Sequence, residues 1–441
     1  MKKCLCLFLV LLIMVTGVFT GCSKDGGKQA DSTGSVQNSS GTAGKSSGEV
    51  VNLHIMHWND MPQVVIQKFE NDNPNIKVQF EKFTVDKFMQ VIKTRIAGQE
   101  LPDILGAQEN DFPAFIKEGI YLDITNEGFL NNFYDSAKAE LIAFGNGKAY
   151  AIPTNAWSMG IFVNADMFKQ NGIAIPENYD GIIAAAAKFK EKGISPFVQG
   201  MKDSWCVNQM SISQFKLQLE NPEFYNKVKT GEAKWTDAGM VKAYQEWADL
   251  FAAKKMMYEG SMGLTYEQAY QLFEQGNVPM WPMGTWASSL FKDKDGNAKK
   301  FDFAMDYIPQ YANKPGEEPV NAGTTIGAMY AISASTKNVN EAKKFFDWLT
   351  KTENAELLVK ANGCLFPVKG INYSEAIPYG DKLVKATFDM KILAPFDIGV
   401  DSAVKAQLTV ANQNLLAGIS TVDKELKEVQ RVQETANQER K

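Results

Sequence analysis

VVNLHIMHW, residues Val50–Trp58, is the stretch whose reading decides the fold of this chain. It is a β-rich run suited to a buried strand, and it ends in Trp58, Asn59 and Asp60. The residues that follow predict a helix from Gln63 to about Glu70. They then predict a strand in which Ile76, Val78 and Phe80 alternate with Lys77, Gln79 and Glu81. A second helix carries Phe88, Val91, Ile92 and Ile96 on one face. Pro102 and Asp103 then lead a short apolar strand, Ile104-Leu105-Gly106, into Gln108, Glu109 and Asn110. Strand, helix, strand, helix, strand is the signature of a parallel sheet with helices on its faces, an α/β fold. In such sheets ligands sit off the carboxyl ends of the strands. That rule makes Trp58, Asn59, Asp60, Gln108 and Glu109 the first candidate binding residues.

The α/β character continues through GKAYAIP (Gly147–Pro153), a strand around Met159–Val163 and a helix from about Gly181 to Lys192. A mainly helical block follows, with Met240, Tyr244, Trp247 and Phe251 on one face. Capping-box patterns open two later helices, Asn338 with Glu341 and Ser420 with Asp423. The first of these buries Ala342, Phe345, Phe346 and Leu349, and the second has a stripe of Val422, Leu426, Val429 and Gln433. Between them and the block lies FEQGNVPMWPMGTW (Phe273–Trp286). Tyr266, Ala269, Tyr270 and Phe273 recur at helical spacing, and Gly276 reads as the left-handed residue just past the helix end. Pro279, Pro282 and Gly284 predict irregular backbone beyond it. Two indoles on such a segment are either clamped under it as local core or held out as a binding surface.

The ends of the chain address location. Lys2 and Lys3 precede an uncharged apolar run from Cys4 to about Val18, followed by Thr20, Gly21 and Cys22, the parts of a secretory signal over residues 1–21. The cleavage region resembles a bacterial lipobox with Cys22 as the lipidated residue, although Phe19 stands where that pattern usually has Leu; the competing reading is an uncleaved anchor. Residues 22–49 are Gly, Ser, Thr, Asn, Gln and Lys with few apolar interruptions, which makes them a flexible tether with a span of roughly 30 Å. The expected location is the extracytoplasmic face of the cell membrane. The body from residue 50 onward exceeds what one core usually supports, so two lobes are expected. A net charge of -5 with no basic stripe argues against nucleic acid. Cys206 and Cys364, the cysteines left in the body, read as separate thiols rather than a disulfide framework.

Taken together, HWND (His57–Asp60), NPNIKVQF (Asn73–Phe80), LPDIL (Leu101–Leu105), EGIYLDIT (Glu118–Thr125), GKAYAIP, IFVNADMFKQNGI (Ile161–Ile173), FEQGNVPMWPMGTW and NVNEAKKFFDWL (Asn338–Leu349) resemble a known family. This is the extracellular solute-binding proteins of carbohydrate ABC importers, the group that includes maltodextrin-binding proteins. The resemblance spans nearly the whole body and rests on the order and spacing of these strings. It implies a two-lobe periplasmic-binding-protein-like fold with three hinge crossings and a ligand cleft between the lobes. By analogy the crossings fall near Ala149–Pro153, Thr325–Ile332 and Cys364–Lys369. One lobe is then residues 50–150 plus 330–365 and the other 151–329 plus 366–441. The implied role is capture of a mono- or oligosaccharide by lobe closure and delivery to the permease subunits of an ABC importer. A monomer is implied as well.

A sugar ring offers apolar C–H faces and a rim of hydroxyls, so its site needs flat aromatic surfaces edged by Asp, Glu, Asn or Gln. Trp235, Trp247 and Trp348 lie in or beside periodic helical segments and read as packing. Trp58, Trp157, Trp205, Trp281 and Trp286 sit beside Asn, Asp, Gly or Pro in irregular segments and are the candidates, with Asp203 near Trp205. Gly323 and Thr324, ahead of the second crossing, are offered by the resemblance as backbone N–H donors. Two other readings stand: a secreted carbohydrate-active hydrolase and a tethered glycan-binding adhesin. A hydrolase needs two carboxylates at a fixed separation, and no motif pairs them. Neither a cofactor nor a metal is expected, because His54 and His57, the chain's two histidines, are three apart on a strand and point to opposite faces.

Overall fold

The computed structural model describes residues 50–108, 111–293, 298–309, 320–395, 398 and 400–440. The signal, Cys22, the tether and Glu109 lie outside these residues. The described residues belong to one compact unit, Glu49–Lys441.

Strands β1 (Val51–His57), β2 (Ile76–Lys82) and β3 (Ile104–Ala107) follow the expected order. β1 pairs in parallel with β2, Val51 opposite Ile76 through His57 opposite Lys82, and in parallel with β3 through Ile55 and Ile104. Helices Gln63–Asp72 and Val85–Gly98 make the crossovers that parallel pairing demands. The chain next adds β4 (Ala151–Pro153), β5 (Trp157–Ser158), β6 (Gly160–Asn164), β7 (Met280–Pro282), β8 (Met305–Pro309), β9 (Val320–Thr324), β10 (Met329–Ile332) and β11 (Lys391–Leu393). The first sheet runs β2-β1-β3-β10-β4. It departs from an all-parallel sheet because β10 lies antiparallel between β3 and β4.

Two three-stranded sheets complete the body, β11-β9-β5 and β7-β6-β8. In the second, alternation along β6 serves two cores at once. Ile161 and Val163 pack with Met280, Ile308 and the helical block around Phe189, Trp235, Tyr244 and Trp247. Phe162 faces the other way, towards Trp281 and Tyr307, with ring centroids 5.7 and 4.7 Å away. The packing tryptophans are where periodicity puts them: Trp235 is 0%, Trp247 1% and Trp348 6% exposed.

The Phe273–Trp286 stretch corrects one expectation. Gly276 does take a left-handed conformation, φ 74°, but Met280–Pro282 is a strand rather than irregular chain. Its proline, Pro282, is tolerated because β7 is an edge strand, where a missing N–H leaves no ladder bond unmade; just before the strand, the Pro279 carbonyl accepts from Asn164 N–H at 2.9 Å. The strand turns Trp281 fully inward, 0% exposed, among Phe162, Tyr266, Tyr270 and Phe273. Trp281 is therefore core and leaves the candidate set.

Helix caps also shift. Asn338 makes no cap; its amide reaches across to Asp103 Oδ1 at 3.1 Å. Thr421, not Ser420, caps the last helix, accepting from Lys424 N–H. A full capping box sits at Thr265 and Gln268, opening the helix Tyr266–Glu274.

The expected crossings shift in their bounds, because Ala151–Pro153 is strand β4 and Met329–Ile332 is strand β10 of the first sheet: the links are 154–156 between β4 and β5, 325–328 between β9 and β10, and 363–368 after the helix Thr352–Asn362, and they lie side by side. Thr154 N–H donates to the Ala328 carbonyl at 2.8 Å and Ala156 N–H to the Leu365 carbonyl at 2.7 Å, so the first crossing is stitched between the other two.

Trp281→Ala removes a wholly enclosed indole and is expected to lower unfolding free energy by about 3–5 kcal/mol. Urea unfolding followed by circular dichroism measures this, and a loss below about 1 kcal/mol would contradict the packing described.

Candidate functional site

A pocket of about 360 Å³ opens off the carboxyl end of β1, where the crossings meet. Trp58, Asn59 and Asp60 line one side, Thr154 and Asn155 of the first crossing another, with Tyr330 of β10, Cys364 of the third crossing and Ser289 also present. Ser289 belongs to a 3₁₀ segment, Thr285–Phe291, that follows β7. A larger hollow, about 840 Å³, lies on the helical block and is lined by residues such as Lys190, Gln245, Phe251 and Leu416. It touches none of the crossings and none of the candidates, whereas the smaller pocket holds Trp58, Asn59 and Asp60 beside the first and third crossings.

The pocket wall is set from beneath by His57, the buried last residue of β1. Its Nδ1 accepts Asn59 N–H at 2.7 Å, and its Nε2–H donates to the Met329 carbonyl at 3.3 Å. Those two bonds define a neutral imidazole. Burial holds its pKa down, from the usual 6.5 to about 3. The Trp58 indole stacks on this ring, centroids 4.2 Å apart and planes 22° apart, and meets Phe88 edge-on at 5.0 Å. Half-buried Trp58 thus enters the pocket with one face already supported. Asp60 is exposed, and its carboxylate pairs with Lys82 at 3.1 Å, which leaves this rim without net charge.

A second set of candidates gathers on the other side of the first crossing. Trp157 and Trp286 meet edge-to-face at 5.3 Å, Trp286 and Trp205 at 6.1 Å, and Trp205 and Tyr266 at 5.1 Å. All three tryptophans are half-buried. Gly284 matters here, though not for the backbone freedom expected of it, since its φ is an ordinary −76°. A Cβ at this position would lie 2.0 Å from the Trp286 ring, so glycine is what lets the indole fold back over the chain. Asp203 Oδ2 accepts Tyr266 N–H at 2.7 Å, which fixes the helix start that carries Tyr266 against Trp205. Trp157 also lines a small hollow of about 80 Å³ with Met159, Phe215 and Ala322.

Three further expectations are corrected. Gln108 turns away to donate to Asp111 Oδ2 at 2.6 Å and does not line the pocket. Thr324 is 0% exposed, and its hydroxyl donates to Glu140 in the helix Asp135–Phe144, as do the N–H and hydroxyl of Thr325. Gly323 is buried in the β5–β9 ladder opposite Ser158, and a Cβ there would sit 2.5 Å from the Trp157 carbonyl. Both positions are buried at the second crossing and neither lines the pocket.

Asn155, Tyr330, Cys364 and Ser289 line the pocket but were not among the candidates. Asn155 carried a signal, a polar residue following the apolar GKAYAIP run beside Trp157. Tyr330 carried none, because an aromatic within GAMYAI reads as core. Cys206 and Cys364 are both free thiols, and burial raises Cys364 to about 11.

The neutral His57 predicts a pH dependence. Its folded pKa lies below the unfolded value, so the unfolded chain binds more protons between about 6.5 and about 3. The stability it contributes is complete above 6.5 and is lost as pH falls through that window, at up to about 1.4 kcal/mol per pH unit. Urea unfolding at pH 7, 5.5 and 4 is expected to show a steeper loss for the parent protein than for His57→Gln; equal slopes would contradict the buried neutral ring.

A family profile described as bacterial extracellular solute-binding protein matches residues 59–356. The multiple sugar-binding protein of Streptococcus mutans serotype c is 27% identical over 335 residues, covering 74% of this chain and 76% of that protein. The melibiose/raffinose/stachyose-binding protein MelE of Bacillus subtilis is 23% identical over 377 residues, 82% and 80% of the two chains. Among solved structures, a chitin oligosaccharide binding protein superposes with a TM-score of 0.76 at 23% identity, over 88% of this chain and 100% of that one. RafE in complex with raffinose gives 0.71 at 20% identity, over 88% and 100%. These likenesses show the two-lobe solute-binding fold. The profile match covers well over half of the sequence, and the chain belongs to the bacterial extracellular solute-binding protein family.

Proposed function

We propose that this protein captures a neutral mono- or oligosaccharide between two lobes, residues 50–150 plus 330–365 and residues 151–329 plus 366–441, and hands it to the permease subunits of an ABC importer. The observation that carries this reading is the placement of half-buried tryptophans on both sides of one crossing segment: Trp58 in the pocket before it, and Trp157, Trp205 and Trp286 clustered beyond it. Flat indoles suit the C–H faces of sugar rings. The names of the relatives, a multiple sugar-binding protein and a melibiose/raffinose/stachyose-binding protein, support the same class of ligand.

Closure follows from the crossings. Three short segments, hydrogen-bonded side by side, bend together more easily than the packed sheets they join, which is the geometry of a hinge. A ligand bridging both aromatic sets favours the closed form by its differential affinity for that form. Lipidation at Cys22 then holds the monomer at the extracytoplasmic face of the membrane on the 22–49 tether. A hydrolytic role has less support, because Asp60 is paired with Lys82 and Asp203 is engaged by Tyr266 N–H, so neither is set as half of an acid–base pair.

Titration of the purified body with oligosaccharides is expected to shift intrinsic tryptophan fluorescence and raise the melting temperature. Stabilisation is about 2.7 kcal/mol at a hundredfold excess over Kd. Trp286→Ala is expected to weaken binding about tenfold or more. If neither Trp286→Ala nor Trp58→Ala changes affinity, the assignment of the site fails.

A further inference from the structure

Asp111 precedes the helix Phe112–Lys117, and Ser402 is the first residue of the helix Ser402–Leu416. They are 291 residues apart, and the Ser402 hydroxyl donates to Asp111 Oδ1 at 2.8 Å. The contact joins elements packed in different cores. Phe112 and Phe115, just after Asp111, lie in the core of the first sheet with Leu105 and Tyr121. Val404 and Leu408, just after Ser402, lie in the core of the helical block with Trp247 and Val429. Neither Asp111 nor Ser402 belongs to a crossing, so their bond is a further tie between the two halves of the body.

This tie lies on the ligand side of the sheet. β1 and β3 are parallel, so Asp111 follows the same sheet edge at which Trp58 and the pocket lie. Across from it, Lys405 in the first turn of Ser402–Leu416 lines the small hollow that Trp157 shares. The contact therefore links the edge carrying Trp58 to the side carrying Trp157, while neither partner lines the pocket or the hollow. Both partners are also free of local capping. Asp111 caps no N–H of its own helix, and its Oδ2 accepts from Gln108 Nε2–H at 2.6 Å, which leaves Oδ1 for Ser402. Asp401, the residue before Ser402, makes no cap bond either. Its carboxylate is engaged by Gln433, at 3.4 Å, and by Arg440. The first turn of Ser402–Leu416 holds no acidic side chain. A carboxylate from the other half supplies the negative charge that a helix N-terminus favours.

We infer that Asp111 and Ser402 form a clasp that stabilises the closed arrangement of the two halves before a ligand arrives, and so sets affinity without touching the ligand. The inference rests on the lobe-closure reading of the proposed function and deepens it. Part of the free energy of closing then comes from the protein itself, and apparent affinity scales with the fraction of chains already closed.

The test compares the purified protein with Asp111→Ala, Ser402→Ala, the double variant and Ser402→Thr. Small-angle X-ray scattering without ligand reads the opening of the halves, and calorimetric titration with raffinose, stachyose, chito-oligosaccharides and xylo-oligosaccharides reads affinity. Each alanine variant is expected to be more extended without ligand and to bind the best sugar about threefold to tenfold more weakly, the size of one net hydrogen bond. The double variant is expected to lose no more than the weaker single one, because both changes remove the same contact. Ser402→Thr keeps the hydroxyl and is expected to match the parent. The unliganded melting temperature is expected to stay at the parent value in all four, since neither core is altered. Ligand-free scattering identical to the parent's in both single alanine variants would overturn the inference and leave the sugar-binding reading intact. Unchanged or higher affinity in those variants, or losses that add in the double variant, would do the same. A fall in unliganded melting temperature parallel to the fall in affinity would make the contact merely structural and also overturn it. If the parent protein binds none of these sugars, the sugar-binding reading falls, and the ligand-free scattering alone decides the clasp.

Discussion

The constraint on which the rest of the structure depends is the stitching of the first crossing between the other two. Thr154 N–H to the Ala328 carbonyl and Ala156 N–H to the Leu365 carbonyl tie together three segments that are remote in sequence. Each segment is only a few residues of connection, anchored by Ala156, Ile326 and Leu365, which are buried in the core. Hydrogen-bonded side by side, they bring the carboxyl end of β1, the start of β5 and the turn after Thr352–Asn362 to one place. The pocket exists because of that convergence, and Glu140 strengthens it by gathering the donors of Thr324 and Thr325 on the far side.

Around this junction, polar groups divide into two kinds. Some are engaged within the protein and serve as scaffolding: His57 is neutral and doubly bonded, Asp203 holds a helix start, and Asp60 is paired. Others line the pocket, Asn155 and Tyr330 among them. The aromatic surfaces divide similarly. Trp281 lies within the core that Phe162 shares, while Trp58, Trp157, Trp205 and Trp286 are half-buried, each fixed by a neighbouring ring. An indole held on one side and open on the other presents a rigid apolar face at small entropic cost, which is what binding a hydroxylated ring requires.

Much of this was legible in the chain. The strand–helix–strand order from Val50 to Gly106 is local, because each element there is set by its own periodicity, and the parallel register follows once the connections are helices. The packing roles of Trp235, Trp247 and Trp348 follow from their place on or beside helical stripes. Trp58, Asn59 and Asp60 were reachable from the rule that ligands sit off strand ends. Gln108 obeys the same rule yet takes no part, because Asp111 three residues on offers a closer partner.

What the sequence determined by itself was therefore the set of elements, their order and the faces their periodicity must bury. Only the tertiary structure decided which residues of the short, irregular and non-local segments point inward. A strand of three residues such as Met280–Pro282 has too few positions for alternation to be read, and its proline hides the fact that an edge needs no donor. Whether Trp281 or Trp286 is enclosed, and whether Thr324 or Asn155 faces the pocket, depends on which remote segment pairs beside it. In a period-two element a one-residue difference in that pairing exchanges the buried and open faces.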